Sequence, residues 1–229
     1  TVHEPYVEEF IGQGFNGVIY GKRNRIRRVS VEGIVFDYPI VAYPDSNSVY
    51  MAKFIDGRIG SIGNQSLQRF HILMDYQNER IFVRKNGWFG KPFSLNMAGM
   101  GVKHEGLIWT MALTSVPKAK AQQQGFFGEE LGVTLYPVSD KFQYTFVLKP
   151  NYVIEGLREG SPAVIAGVAE GDRLLMINGI RAENLTLAKI LSKFQTNPGD
   201  LIRLQLQRGD KKIRVRFRLV DPVPFHKNM

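Results

Sequence analysis

The sequence predicts a mainly β protein in two parts, a β domain over residues 1–92 and an α+β domain over residues 93–222. Three observations carry the prediction. Before residue 86 the apolar stretches are short, rich in β-branched and aromatic residues, and closed by turn residues, which is the signature of strands. At Asn86-Gly87-Trp88-Phe89-Gly90-Lys91-Pro92-Phe93 a run of turn residues interrupts that pattern. Beyond the break, strands alternate with two short segments of helical spacing.

In the first part strands are expected at Gly17–Tyr20, Ile26–Val31, Ile34–Phe36, Ile40–Tyr43, Met51–Ile55 and along Phe70–Val83, with a short helix at Asn64–Arg69. In the second part an insertion is expected around residues 104–130, with Val116–Gly125 read as a loop from its Ala, Gln and Lys content. Strands follow at Leu131–Pro137, Gln143–Leu148 and Tyr152–Leu157, then a helix at Pro162–Ala166 and a strand at Leu174–Ile177. A helix at Thr186–Phe194 carries Leu187, Ile190, Leu191 and Phe194 at three- and four-residue spacing, hence one apolar face. Leu201–Gln207 and Lys212–Leu219 close the chain as a hairpin around Arg208-Gly209-Asp210.

Composition narrows the chemistry. With 44% hydrophobic residues in 229, the chain can bury real cores. It holds no cysteine, which excludes disulfides, thiolate metal ligands and a cysteine nucleophile. His3, His71, His104 and His226 form no His-x-x-x-His pair, so no metal site and no cofactor are expected. Lys and Arg outnumber Asp and Glu by 30 to 21. Much of that excess lies in Lys22–Arg28 and in Lys211–Arg218, where charged residues alternate with Ile213, Val215 and Phe217. Period-two alternation is a strand with one wet face, which argues against nucleic acid as the partner. No run of about 18 apolar residues exists to span a membrane.

Gly12 to Gly17 matches Gly-x-Gly-x-x-Gly, but no helical pattern follows and no hydroxyl residue follows Lys22, so it reads as a tight hairpin rather than a phosphate loop. No Gly-x-Ser-x-Gly elbow is present. Ser161 before Pro162 reads as a helix N-cap.

Gly160-Ser161-Pro162-Ala163, Ala166-Gly167, Gly171-Asp172 and Ile177-Asn178-Gly179 recur in the order found in a PDZ domain of the bacterial kind attached to proteases, and residues 93 to 220 resemble that family. The resemblance implies that a peptide tail adds as a strand beside an edge strand, packs against a helix, and has its terminal carboxylate held by amides of a glycine-containing loop. Two loops have the needed form. Leu131-Gly132-Val133 is taken first, with Leu187, Ile190 and Leu191 of the helix as the facing wall, and Met97-Ala98-Gly99-Met100 is the alternative.

In the first part, Gly12 to Gly21 resembles the flap hairpin of retropepsin-like aspartic proteases, with Gly14, Phe15, Asn16 and Gly17 at its tip. Ser61-Ile62-Gly63 resembles the scaffold turn of the same family, feeding a short helix and then the strand Ile72–Tyr76. That family needs an Asp-Thr/Ser-Gly turn, and none occurs here, so no catalytic residue is assigned. In the family that turn precedes the flap and would lie before Thr1. The chain is expected to be the later portion of an aspartic endopeptidase, inactive alone, in which the PDZ half binds peptide or regulates substrate access. The resemblance also implies pairing with a second copy and a bacterial periplasm or cell surface. The alternatives are a non-catalytic peptide-binding protein and a basic binder of nucleic acid or anionic surfaces.

Overall fold

A computed structural model describes residues 2–14, 17–45, 57, 60–115 and 142–224, and the fold is mainly β. Strands β1 (Tyr6–Gly14) and β2 (Gly17–Arg25) form a hairpin, and β2 pairs on its other side with β5 (Ile40–Pro44). Between them β3 (Arg28–Val31) and β4 (Ile34–Asp37) make a separate hairpin. The run Phe70–Val83 is not continuous: β6 (Phe70–Asp75) and β7 (Arg80–Lys85) are antiparallel, because Asp75 accepts bonds from both the backbone and side-chain nitrogens of Asn78 and turns the chain. Helix α1 (Asn64–Leu67) precedes them. The expected strand Met51–Ile55 lies outside the described residues.

The run Asn86–Phe93, which the sequence presents only as a break, is a packed element. Arg69, only 4% exposed, donates to the carbonyls of Gln65, Trp88, Phe89, Lys91 and Pro92 and lies 3.8 Å over the Phe93 ring. Carbonyl dipoles replace the water that its guanidinium lost, while burial lowers its pKa. Phe36, Phe70, Phe89 and Phe93 pack around this point with ring centroids 5.5–6.1 Å apart.

The second part is built on β8 (Met100–Ser115), β9 (Phe142–Leu157), β10 (Arg173–Ile177), β11 (Ile180–Arg181), β12 (Leu201–Arg208) and β13 (Lys211–Arg218). The sheet order is β13-β12-β10-β9-β8, with β11 paired to β10. Helices α2 (Pro162–Ile165) and α3 (Leu187–Ser192) complete it. Their starts follow from capping: Ser161 accepts from the Val164 amide and Thr186 from the Lys189 amide. Met100, Ile154, Ile177, Ile190, Phe194 and Leu206 fill one core. On β13 the alternation is as expected, with Phe217 buried and Arg214, Arg216 and Arg218 exposed.

Residues 104–115, assigned to an insertion by the sequence, are strand. Gln143–Leu148 and Tyr152–Leu157, expected as two strands, are one. Beyond His104↔Tyr152 the ladder continues from Leu107↔Pro150 to Ser115↔Phe142 as a two-stranded ribbon. Leu107, Trp109, Met111, Phe146 and Leu148 are all exposed on it, Trp109 at 68%. The expected strand Leu131–Pro137 lies outside the described residues.

Asp172, 1% exposed, ties the Gly171-Asp172 turn to the end of β12. Arg208 donates to both of its oxygens at 2.7 Å and the Ala169 amide at 3.0 Å. Burial pushes the Asp172 carboxyl up, but the Arg208 and Ala169 hydrogen bonds outweigh it, and its pKa falls below the usual carboxylate range. A lowered native pKa gives stability that is fully present above the unfolded value, about 3.9, and that disappears as pH falls through the native one. Asp172→Asn is expected to lower unfolding stability at pH 7 by about 1–3 kcal/mol. In urea titrations the gap to the unmutated chain should shrink below about pH 4; a gap independent of pH would refute the charged role of Asp172.

Candidate functional site

The loop Asn96–Met100 is fixed from three sides. The Met97 amide donates to Phe194 O after α3, the Ala163 amide of α2 donates to Ala98 O, and the Arg158 amide and Ser161 hydroxyl both donate to Gly99 O. Gly99 has φ +69°, and a Cβ there would lie 2.3 Å from Ser161 Cβ. Only glycine fits both the left-handed backbone and the space. The Asn96 side chain closes the loop from within: its Oδ1 accepts from the amides of Ala98 and Gly99, and its Nδ2 donates to Met100 O at 2.7 Å.

From this loop β8 runs out as the last strand of its sheet, paired only with β9 among the described residues. Met100 and Val102 point into the core. Helix α3 flanks the strand, its start held by Tyr152, whose hydroxyl donates to Leu185 O at 2.8 Å. Burial raises the Tyr152 pKa, so the group stays a donor at neutral pH. Leu187 and Leu191 are partly buried on one face of α3, whereas Ile190 is fully buried and supports the helix from the core. Leu187 and Leu191 are about 6 Å apart along the helix axis. Alternate side chains of an added strand are about 6.8 Å apart. The two spacings match.

A cavity of about 1030 Å³ opens where β8 begins, lined by Gly99, Gly101, Lys103 and Leu191 on one side and by Glu9 and Tyr20 of the β1–β2 hairpin on the other. A smaller cavity of about 410 Å³ lies between β1 and the start of α2. Arg158 lines both. It donates to Glu9 Oε2 at 3.0 Å, and Glu9 Oε1 lies 3.1 Å from Arg23. This arginine–glutamate–arginine chain joins the hairpin to the glycine loop. Arg25 makes a second junction, with Asp221 and the carbonyls of Phe93 and Val223.

Of the sites expected from sequence, Gly14 and Gly17 form the last pair of the β1–β2 hairpin, while Phe15 and Asn16 at its tip lie outside the described residues. Ser61 and Ile62 are exposed, and Gly63 is the N-cap of α1. Leu131, Gly132 and Val133 lie outside the described residues. The loop that leads into the edge strand beside α3 is the alternative, Met97-Ala98-Gly99-Met100. Asn96 and Arg158 escaped sequence reasoning. Asn three residues before Gly is a local turn signal, but Arg158 gains its place from Glu9, 149 residues away.

An edge strand, a flanking helix with two apolar side chains at strand spacing, and a glycine loop at the strand's head have the form of a groove for an added peptide strand. Residues 153–208 match the PDZ domain family, so the second part contains a PDZ domain. The match includes α3 but stops short of β8 and the Gly99 loop, which complete the groove. No curated protein matches the chain.

Gly99→Ala is expected to cost about 3 kcal/mol or more, since it adds a collision to left-handed strain. Gly160→Ala, at φ +66° in open space, should cost only about 1–2 kcal/mol. Denaturant midpoints compare the two, and equal losses would remove the packing argument.

Proposed function

We propose that the chain binds extended peptide C-termini by strand addition to β8, and that this serves an aspartic endopeptidase of which the chain is the later portion. The observation that carries peptide binding is the edge of β8 beside Leu187 and Leu191, which has no strand partner among the described residues. The ligand's backbone pairs with β8 near Gly101–Lys103, its last side chain meets Leu191, and its third-last meets Leu187. The groove therefore takes tails with apolar residues at those two positions.

Support for the protease context is narrower. Gly14 to Gly17 and Ser61-Ile62-Gly63 resemble in sequence the flap tip and scaffold turn of retropepsin-like proteases, and α1 and β6 follow the second of them. The hairpin also shares a cavity with the groove, which suits a peptide-binding half that recruits or gates substrate. The catalytic aspartate would come from sequence outside these 229 residues, in a bacterial protein of the periplasm or cell surface, with a second copy as a partner. A basic binder is disfavoured by pairing: Lys22, Arg23, Arg25 and Arg28 each meet a carboxylate.

Selection from a library of random free C-termini should enrich apolar residues at the last and third-last positions, and Leu191→Asp or Leu187→Asp should weaken the selected peptides at least about tenfold. Absence of enrichment on the folded chain would refute the groove. For the protease context, a longer chain carrying an upstream Asp-Thr/Ser-Gly turn should hydrolyse peptides and the 229-residue chain should not. Pepstatin-sensitive hydrolysis by the shorter chain would overturn that assignment.

A further inference from the structure

A carboxylate entering the head of the groove needs donors there, and the loop amides of Ala98 and Gly99 already serve Asn96 Oδ1. Two cations line the cavity from the PDZ side. Lys103 is half exposed and lies 3.9–4.0 Å from Glu155 and Glu105, so water and two carboxylates screen it. Arg158 is different. Its side chain is 10% exposed, its Nη1 reaches Asn96 O at 3.4 Å, and its Nη2 lies 3.0 Å from where a Cβ on Gly99 would sit. Its guanidinium thus flanks the loop that starts β8.

We infer that Arg158 receives the terminal carboxylate of a bound peptide and that it does so by exchanging Glu9 of the β1–β2 hairpin for the ligand. The inference rests on the groove described under Proposed function and names the residue that reads the ligand's end.

Three features make the exchange workable. Arg23 and Arg158 share the single carboxylate of Glu9, so the triad carries one positive charge in excess, the charge a ligand carboxylate would neutralise. When Arg158 turns to the ligand, Glu9 keeps Arg23 at 3.1 Å, so neither partner is left as an orphaned charge in a half-buried site. Of the other carboxylates on the cavity wall, Asp45, Glu155 and Glu170 repel an anion at positions away from Arg158, while Glu8 and Glu159 line the smaller cavity beside it and Glu8 is offset by Lys22 at 3.4 Å. Because Glu9 belongs to β1, filling the groove weakens one of the contacts that dock the hairpin. Groove occupancy and hairpin docking become one equilibrium.

The test uses the 229-residue chain and the tightest peptide from the free-C-terminus selection, synthesised as acid and as amide and followed by fluorescence anisotropy. The unmutated chain should prefer the acid by about tenfold, as a charge-assisted bond implies. Arg158→Gln should erase the preference while leaving amide affinity in place. Glu9→Gln should tighten the acid about threefold and, without ligand, raise hydrogen exchange in Glu8–Phe10 as the acid does in the unmutated chain. If Arg158→Gln fails to fold, Glu9→Gln reads the same exchange from the other partner. An acid preference that survives Arg158→Gln, or acid affinity unchanged by Glu9→Gln, overturns the assignment. Equal binding of acid and amide overturns it while leaving the groove intact, whereas a selection that yields no peptide removes the groove and this inference together.

Discussion

The second half of the chain depends on the contact of Gly99 with Ser161. Gly99 O receives the Ser161 hydroxyl and the Arg158 amide, and the missing Cβ lets the loop lie directly on the start of α2. That position sets where β8 begins, and hence which sheet edge lies beside α3 without a strand partner among the described residues. The same serine caps α2, so one side chain fixes a helix start and the loop across from it. A small displacement of this loop would shift the register of β8 against β9, and a one-residue slip turns Met100 and Val102 out of the core.

How far this was legible in the sequence depends on the range of the interactions. Ser161 before Pro162, Asn178-Gly179 between strands and the alternation of Ile213, Val215 and Phe217 are local signals, and each lies where its pattern puts it. The Gly99 loop was legible only as the second choice after Leu131-Gly132-Val133, because a glycine between apolar residues says nothing about which α-helix it will face. The β8–β9 ladder was missed for a related reason: its strands are separated in sequence, and its outer half exposes Trp109, Met111 and Phe146 without the polar alternation that marks a half-wet strand. Arg69 was invisible because its five acceptors are main-chain carbonyls, which carry no residue code.

In the first half, order comes more from polar staples than from a large apolar core. Three small β units, β1-β2-β5, β3-β4 and β6-β7, do not join into one sheet among the described residues. A two-stranded unit alone is marginal in water. The aromatic group around Phe36 holds part of it, and Arg69 holds the Asn86–Phe93 run against that group. Leu73, Met74, Ile81 and Phe82 of the β6–β7 hairpin remain largely exposed.

The excess of basic residues then takes on a structural meaning. Arg25 joins β2 to Asp221 and to the carbonyls of Phe93 and Val223, Arg158 joins the glycine loop to Glu9, and Arg208 joins β12 to Asp172. Each bonds elements far apart in sequence, and arginine suits that task because its planar fork meets two acceptors at once. Arginines at the joints between parts also keep those joints adjustable: a guanidinium can trade one carboxylate for another with little change in geometry, which packed apolar side chains cannot do. The contact between the hairpin and the groove is of this tradable kind, which is what the exchange inferred for Arg158 and Glu9 requires.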